Sequence, residues 1–239
     1  VYEVLMRGGG DLVDSGTALY AVSPWLEGET SVPVDRAPKL GVGSGRRILK
    51  THLPAEACPR DPDARYVYVS RDPVSCFASC RDFLATNMGP FCPDLPAIVD
   101  WYMSDGMWWG PWPAHVGGWW DRAQADGNVL WVRFEDMVAD LPSVLERVAE
   151  FLGVPPLEDG ESAEVVRKCG FDYMKRHRHI FEMHPPHLVA ADPVLFVRGT
   201  GDRFRDVPPE LDRKIVDWCN EAAAGTGFSV DDLYPRAAR

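Results

Sequence analysis

The sequence of 239 residues predicts an α/β fold in which a parallel sheet is flanked by helices. Two observations carry that expectation. Short β-branched and aromatic runs alternate with longer segments of helical periodicity, as strand–helix–strand units do. Polar residues stand just where several of the apolar runs end, and ligands gather at the carboxyl ends of strands in such sheets.

Val1 to Trp25 is punctuated by Gly8-Gly9-Gly10 and by Ser23-Pro24, so it reads as the tail of one element, a turn, and a short helix or loop. It opens inside the apolar stretch Val1-Tyr2-Glu3-Val4-Leu5-Met6 with no initiator Met and no capping residue, which reads as the start of a fragment. Residues 28–46, rich in Gly, Pro, Ser and Arg, form a surface connection into the apolar pair Ile48-Leu49. That pair is predicted to be a strand ending in Lys50-Thr51-His52-Leu53-Pro54.

Arg65 to Ser70 is a second predicted strand, broken at Arg71-Asp72-Pro73, where proline suits a helix start; the helix is expected from about Val74 to Leu84. Ala97 to Met103 reads as helical and Gly110-Pro111-Trp112-Pro113 as a turn. Ala114 to Ala125 is a helix with an aromatic face, and Asn128 to Phe134 a third strand. Leu141 to Leu152 is amphipathic, with Leu141, Val144, Leu145, Val148, Phe151 and Leu152 on one side, and is stopped by Gly153. Glu161 to Cys169 and Pro208 to Ala224 complete the helices. There is no internal repeat, and residues 1–239 read as a single domain.

The net charge of −11 argues against general affinity for nucleic acid, since a polyanion binder needs a basic face. An anionic ligand must then meet a local basic cluster. No run approaches the ~18 apolar residues of a membrane span, and the first ten residues lack a secretory pattern, so a soluble cytoplasmic protein is expected. Six cysteines lack metal-site spacing and read as reduced, buried thiols. His177, His179, His184 and His187 match no standard ligand pair, Pro185 and Pro186 make their segment a loop, and no metal is expected.

Two constellations carry chemistry. Arg71 ends a strand and Ser79 lies two turns into the next helix, so arginine, helix start and hydroxyl together make an anion site; an ordinary ion pair of Arg71 with Asp72 or Asp82 is the alternative. Lys50 and His52 alternate at a strand end and therefore point to one side. An imidazole can take a proton near neutral pH and an ammonium can stabilise developing negative charge.

The blocks Lys50-Thr51-His52-Leu53-Pro54 and Tyr66-Val67-Tyr68-Val69-Ser70-Arg71-Asp72-Pro73 resemble the KTHLP and YVxRxP signatures of cytosolic-type sulfotransferases. Gly110-Pro111-Trp112 with His115-Val116-Gly117-Gly118-Trp119-Trp120 is similar to the family's GxWxxHVxxWW stretch, and Phe134-Glu135-Asp136-Met137 to its (Y/F)EDM block. The resemblance runs from about Gly9 to Phe228. It implies a three-layer, P-loop-NTPase-like fold and transfer of a sulfuryl group from 3′-phosphoadenosine-5′-phosphosulfate (PAPS) to a small alcohol or phenol.

Residue by residue, the resemblance implies that His52 is the catalytic base and that Lys50 stabilises the transferring group. Arg71 and Ser79 would hold the 3′-phosphate of PAPS, Phe171 would pack on the adenine, and Phe134 stands where many members have tyrosine. Arg198-Gly199-Thr200-Gly201-Asp202-Arg203-Phe204-Arg205 resembles the RKGxxGDWK segment that also clasps the 3′-phosphate, shortened by one residue, with Arg198 and Gly199 in the clasping places.

The family's first strand and its KSGTTW-type loop would precede Gly9-Gly10-Asp11, where only eight residues stand, so both are expected to be missing. Asp14-Ser15-Gly16-Thr17 imitates that loop without its lysine. Ser23-Pro24-Trp25-Leu26-Glu27 matches a segment that the family places further downstream. A KxxxTVxxxE dimer pattern is not recognisable between Arg205 and Lys214, which leaves a monomer or weak homodimer. A catalytically impaired nucleotide-binding remnant is the alternative function, and a P-loop kinase is disfavoured because no GxxxxGK[ST] occurs.

Overall fold

The computed structural model describes residues 1–6, 11–28, 31–41, 45–182, 196–224 and 226–235. Gly9 and Gly10, and His184, Pro185, Pro186 and His187, lie outside them. The chain divides into two compact units, each drawn from two segments: Val1–His52 with Asp140–Gly199, and Leu53–Ala139 with Thr200–Arg239.

In the unit that starts at Leu53, β1 (Tyr66–Ser70) and β2 (Val129–Arg133) run parallel, Tyr66 opposite Val129 and Ser70 opposite Arg133. Parallel strands need a crossover, supplied here by the Pro73–Met88, Leu95–Tyr102 and Trp112–Ala125 helices. Asp72 caps the first of these by accepting from Ser75 N at 2.8 Å, and Pro73 occupies the first turn, where its missing N–H costs nothing.

The core of this unit joins Val74, Phe77 and Ala78 to Ile98, Val99 and Tyr102 and to Ile215, Val216 and Cys219 of the Pro209–Ala222 helix. Tyr102, fully buried, donates to the Pro73 carbonyl at 2.8 Å, which satisfies its hydroxyl. A smaller cluster gathers Ala55, Cys58 and Trp119 with Tyr66, Tyr68 and Trp131. Arg122, 1% exposed, lies beside it and donates to the carbonyls of Ala55, Cys58 and Pro59 at 3.5, 3.3 and 3.2 Å. Its guanidinium also stacks 4.1 Å from the Tyr66 ring.

In the other unit, the Leu141–Leu152 helix buries Val144, Leu145, Val148, Ala149 and Leu152. Asp140 caps it through Ser143 N at 3.2 Å, and Gly153 closes it at φ 66°, a left-handed conformation that suits glycine. The Asp159–Cys169 helix opens on a capping box of Glu158 and Glu161. The Tyr2–Met6 helix packs on both, with Val4 and Leu5 buried. Lys168 Nζ reaches Asp11 at 2.7 Å and Glu3 at 3.5 Å.

Several predicted boundaries move. Ile48-Leu49 is not a strand: Leu49 is 44% exposed, and only Lys50 pairs, in an isolated parallel bridge with Trp25. A two-residue apolar run has too few ladder bonds to hold a strand by itself. Phe134 does not end β2 but starts the Phe134–Ala139 helix, whose first turn carries Glu135 and Asp136 where acidic groups suit the helix dipole. The turn predicted at Gly110–Pro113 gives way at Trp112, the first residue of the Trp112–Ala125 helix. Part of the loop expected around the histidines is helical, as Phe171–Arg176 and Arg178–Phe181.

Candidate functional site

Lys50 and His52 share one aromatic wall. The backbone around Lys50 is fixed by its bridge: Lys50 N donates to Pro24 O at 2.8 Å, and Leu26 N donates to Lys50 O at 2.9 Å. This pairing brings Trp25 beside both side chains. Lys50 Nζ lies 4.5 Å from the centroid of the Trp25 ring, within cation–π range, and donates to Tyr20 Oη at 3.1 Å. The His52 imidazole meets the same indole edge-on, at 5.1 Å and 88°. Glu27 holds the intervening backbone, accepting from His52 N at 3.1 Å and from the Thr51 hydroxyl.

Arg71 stands at the carboxyl end of β1. Trp112 Nε1 donates to its carbonyl at 3.0 Å, and its guanidinium lies 4.4 Å over the Phe134 ring and donates through Nη2 to Thr200 O at 3.0 Å. Its Nε is buried and has no hydrogen-bond partner among the described residues. Burial lowers the pKa of this guanidinium from its ordinary value, which is far too high for the charge to be lost. Burial likewise raises the neighbouring Glu135 carboxyl. Glu135 accepts from Asp72 N at 3.1 Å and so ties the two strand ends together.

Ser79 lies one helical turn beyond Ser75 and three residues before Asp82, so the three share one face of the Pro73–Met88 helix. Ser75 and Asp82 both bond to the Thr200–Asp206 segment, through Phe204 N to Ser75 Oγ at 3.0 Å and Arg203 Nη2 to Asp82 Oδ2 at 2.6 Å. Ser79 therefore faces the same segment, whose Thr200 carbonyl Arg71 holds. An arginine with an unused buried donor, beside the start of a capped 16-residue helix, fits an anionic group such as a phosphate.

Phe171 is the first residue of its helix, and its ring meets Phe196 edge-to-face at 6.1 Å and 71°. Lys175 Nζ lies 5.7 Å from the same ring. Gly199 packs directly on it, and a Cβ there would stand 2.6 Å from two ring carbons. Arg198, next to it, is exposed.

The sequence motifs did not assign Glu27, Tyr20, Trp112, Glu135 or Arg203 a role. The Ser23–Glu27 block was a signal for Glu27, since its likeness to a family segment marked it as more than a connection. Asp14-Ser15-Gly16-Thr17 ends a helix: Gly16 is its left-handed cap at φ 64°, and Ser15 Oγ donates to Thr17 Oγ1 at 2.9 Å. Trp112 is core, whereas Trp101 and Trp108 pack together at 4.9 Å with Trp108 46% exposed. All six cysteines are free, and burial pushes the Cys80 thiol up to about 12. Among the described residues no group of His, Cys, Asp and Glu is placed to hold a metal ion, and no helix is long and apolar enough to cross a membrane.

One unit thus carries a guanidinium at the carboxyl end of a parallel strand, and the other an ammonium and an imidazole on one indole ring. Residues 11–227 match the sulfotransferase domain, and the chain belongs to that family. It is 31% identical to cytosolic sulfotransferase 1 of Danio rerio over 193 residues, covering 79% of this chain and 59% of that protein. It is 25% identical to 3-alpha-hydroxysteroid sulfotransferase of Cavia porcellus over 236 residues, covering 97% of this chain and 75% of that protein. The chain thus spans about three-fifths of the length of the first of these relatives.

Among solved structures, mouse sulfotransferase SULT7A1 complexed with PAP (3′-phosphoadenosine-5′-phosphate) superposes with a TM-score of 0.63 at 25% identity, over 76% of this chain and 67% of that one. Retinol dehydratase, at 22% identity and a TM-score of 0.64 over 81% of this chain and 57% of its own, has the same fold. The fold is therefore the α/β sulfotransferase fold, with a parallel sheet flanked by helices.

Proposed function

We propose that the protein transfers a sulfuryl group from PAPS to the hydroxyl of a small alcohol or phenol, as a single cytoplasmic domain acting as a monomer or weak homodimer. One observation carries the proposal: Lys50 and His52 converge on the ring of Trp25, which sets an ammonium beside an imidazole. His52 takes the acceptor proton as the new S–O bond forms, and Lys50 stabilises the negative charge that develops. PAPS supplies a sulfuryl group already activated by its phosphate leaving group.

Arg71 and Ser79 hold the 3′-phosphate, with Phe134 supporting the Arg71 guanidinium, and Arg198 and Gly199 belong to the same grip. Phe171 stacks on the adenine. The choice of a hydroxyl acceptor is also supported by relatives named for a 3-alpha-hydroxysteroid and for luciferin.

The test incubates the full chain with PAPS and a panel of phenols and alcohols and follows PAP and sulfated product by mass spectrometry. Turnover that His52→Ala abolishes, with PAP affinity unchanged, is the expected result. PAP binding without turnover on any acceptor selects the non-catalytic nucleotide-binding alternative, and ATP bound as tightly as PAP overturns both.

A further inference from the structure

Arg203 is charged, long and 3% exposed, and nothing in the proposed chemistry uses it directly. Among the described residues it makes two short ion pairs: Nη2 to Asp82 Oδ2 at 2.6 Å and Nε to Asp206 Oδ2 at 2.9 Å. With its guanidinium committed to two carboxylates, Arg203 is poorly placed to serve as a phosphate ligand. A buried ion pair of this kind adds little net stability but fixes one geometry strongly, since either partner left alone is costly.

What it fixes is the turn that meets Arg71. Asp82 lies at the far end of the Ser75–Ser79–Asp82 face of the Pro73–Met88 helix, and Ser75 lies at the near end. Ser75 Oγ accepts from Phe204 N at 3.0 Å and donates to Gly201 O at 3.4 Å. The segment is therefore pinned at both ends of the face, with Ser79 between the pins. Thr200, adjacent to Gly201, presents the carbonyl that receives Arg71 Nη2 at 3.0 Å. Moving the turn moves the acceptor that aims Arg71.

We infer that Arg203 is a positioning residue for recognition of a 3′-phosphate: through Asp82 and Asp206 it holds the Thr200–Asp206 turn so that Arg71 and Ser79 face a common point. The inference rests on the reading above that Arg71 and Ser79 hold that phosphate. It separates two effects that a general loss of structure merges. Adenine and 5′-phosphate recognition do not depend on the turn in this scheme, whereas the added affinity from the 3′-phosphate does.

The experiment measures calorimetric affinities of the full chain for PAP and for AMP, which lacks the 3′-phosphate, in the parent protein and in Arg203→Met, Arg203→Lys and Asp82→Asn. The expected result is a loss of about tenfold or more in PAP affinity with AMP affinity held within about twofold, in line with displaced charge-assisted hydrogen bonds. Arg203→Lys, which cannot bridge two carboxylates with a planar fork, recovers only part of the loss. If Arg203→Met fails to fold, Asp82→Asn, which keeps the side chain's shape, reads the same ratio. An unchanged PAP-to-AMP ratio in the folded variants overturns the inference, as does an equal loss for both nucleotides. A parent protein that does not prefer PAP to AMP overturns the 3′-phosphate reading itself, and the inference with it.

Discussion

Gly199 lies so close to Phe171 that a Cβ on it would stand 2.6 Å from two ring carbons and 2.9 Å from the Phe171 Cβ. Atoms near the base of a side chain cannot swing aside as a chain terminus can. Gly199→Ala must therefore push Phe171 from its place at the start of its helix. If Phe171 stacks on the adenine, PAP affinity falls by about tenfold while the melting temperature drops by about 2–12 °C without loss of folding, because overpacking at one half-buried contact typically costs ~1–3 kcal/mol. Titration calorimetry alongside thermal unfolding checks both halves; unchanged PAP affinity in the variant removes Phe171 from the nucleotide site.

Glu27 grips both the His52 backbone N–H and the Thr51 hydroxyl through one carboxylate oxygen. A half-buried acceptor serving two donors sets the direction of the segment that carries the imidazole. Glu27→Ala is expected to lower kcat by roughly 10²-fold, the scale of a displaced catalytic group, without weakening PAP binding. Glu27→Gln, which keeps an acceptor oxygen, restores most of the rate. Steady-state kinetics with PAP affinity measured in parallel reads the split.

How much of this was legible in the sequence differs from residue to residue. The Leu141–Leu152 helix was legible to its ends because Asp140, the apolar spacing and Gly153 are all local signals. The two-residue alternation of Lys50 and His52 was legible too, but their shared wall was not, because Trp25 reaches them only through a single pairing to Lys50 across 25 positions of chain. Arg71 was legible as a strand-end cation. Its aim was not, since Thr200 lies 129 residues away and is placed by Arg203, whose burial no periodicity reports. The strand expected at Ile48-Leu49 failed for the converse reason: local β propensity says nothing of whether a neighbour is there to complete the ladder.

Arg122 shows how far such a buried cation can matter to stability. It donates to the carbonyls of Ala55, Cys58 and Pro59 and pairs with Asp126 at 3.4 Å, so its removal orphans several acceptors at once. Arg122→Met is expected to destabilise the protein by about 2–4 kcal/mol, because buried polar partners left unsatisfied are costly. Arg122→Lys recovers less than half, since a single ammonium cannot reproduce the fork or the stacking on Tyr66. Urea unfolding followed by tryptophan fluorescence measures both; a variant within about 0.5 kcal/mol of the parent, the ordinary range for a surface substitution, excludes the clamp.

Acid sensitivity has a definite sign at the Asp11–Lys168 pair. Burial raises the Asp11 pKa, but the bond from Lys168 and the N–H groups of Val13 and Asp14 outweigh it, so the net shift is downward from 3.8. A carboxyl with a lowered folded pKa adds stability that is complete above its unfolded value and disappears as pH falls through the folded one. Glu3, the other carboxylate on Lys168, is raised chiefly by burial and so works in the opposite sense, becoming less unfavourable as it protonates. Asp11→Asn keeps an oxygen to cap the Leu12–Ser15 helix but removes the charge. Urea midpoints between pH 6 and pH 3 are therefore expected to converge: the parent is the more stable at pH 6, and the gap closes as pH drops below about 4, the ordinary carboxylate range. A gap that stays constant across that interval assigns Asp11 to capping alone and leaves its pairing with Lys168 without energetic weight.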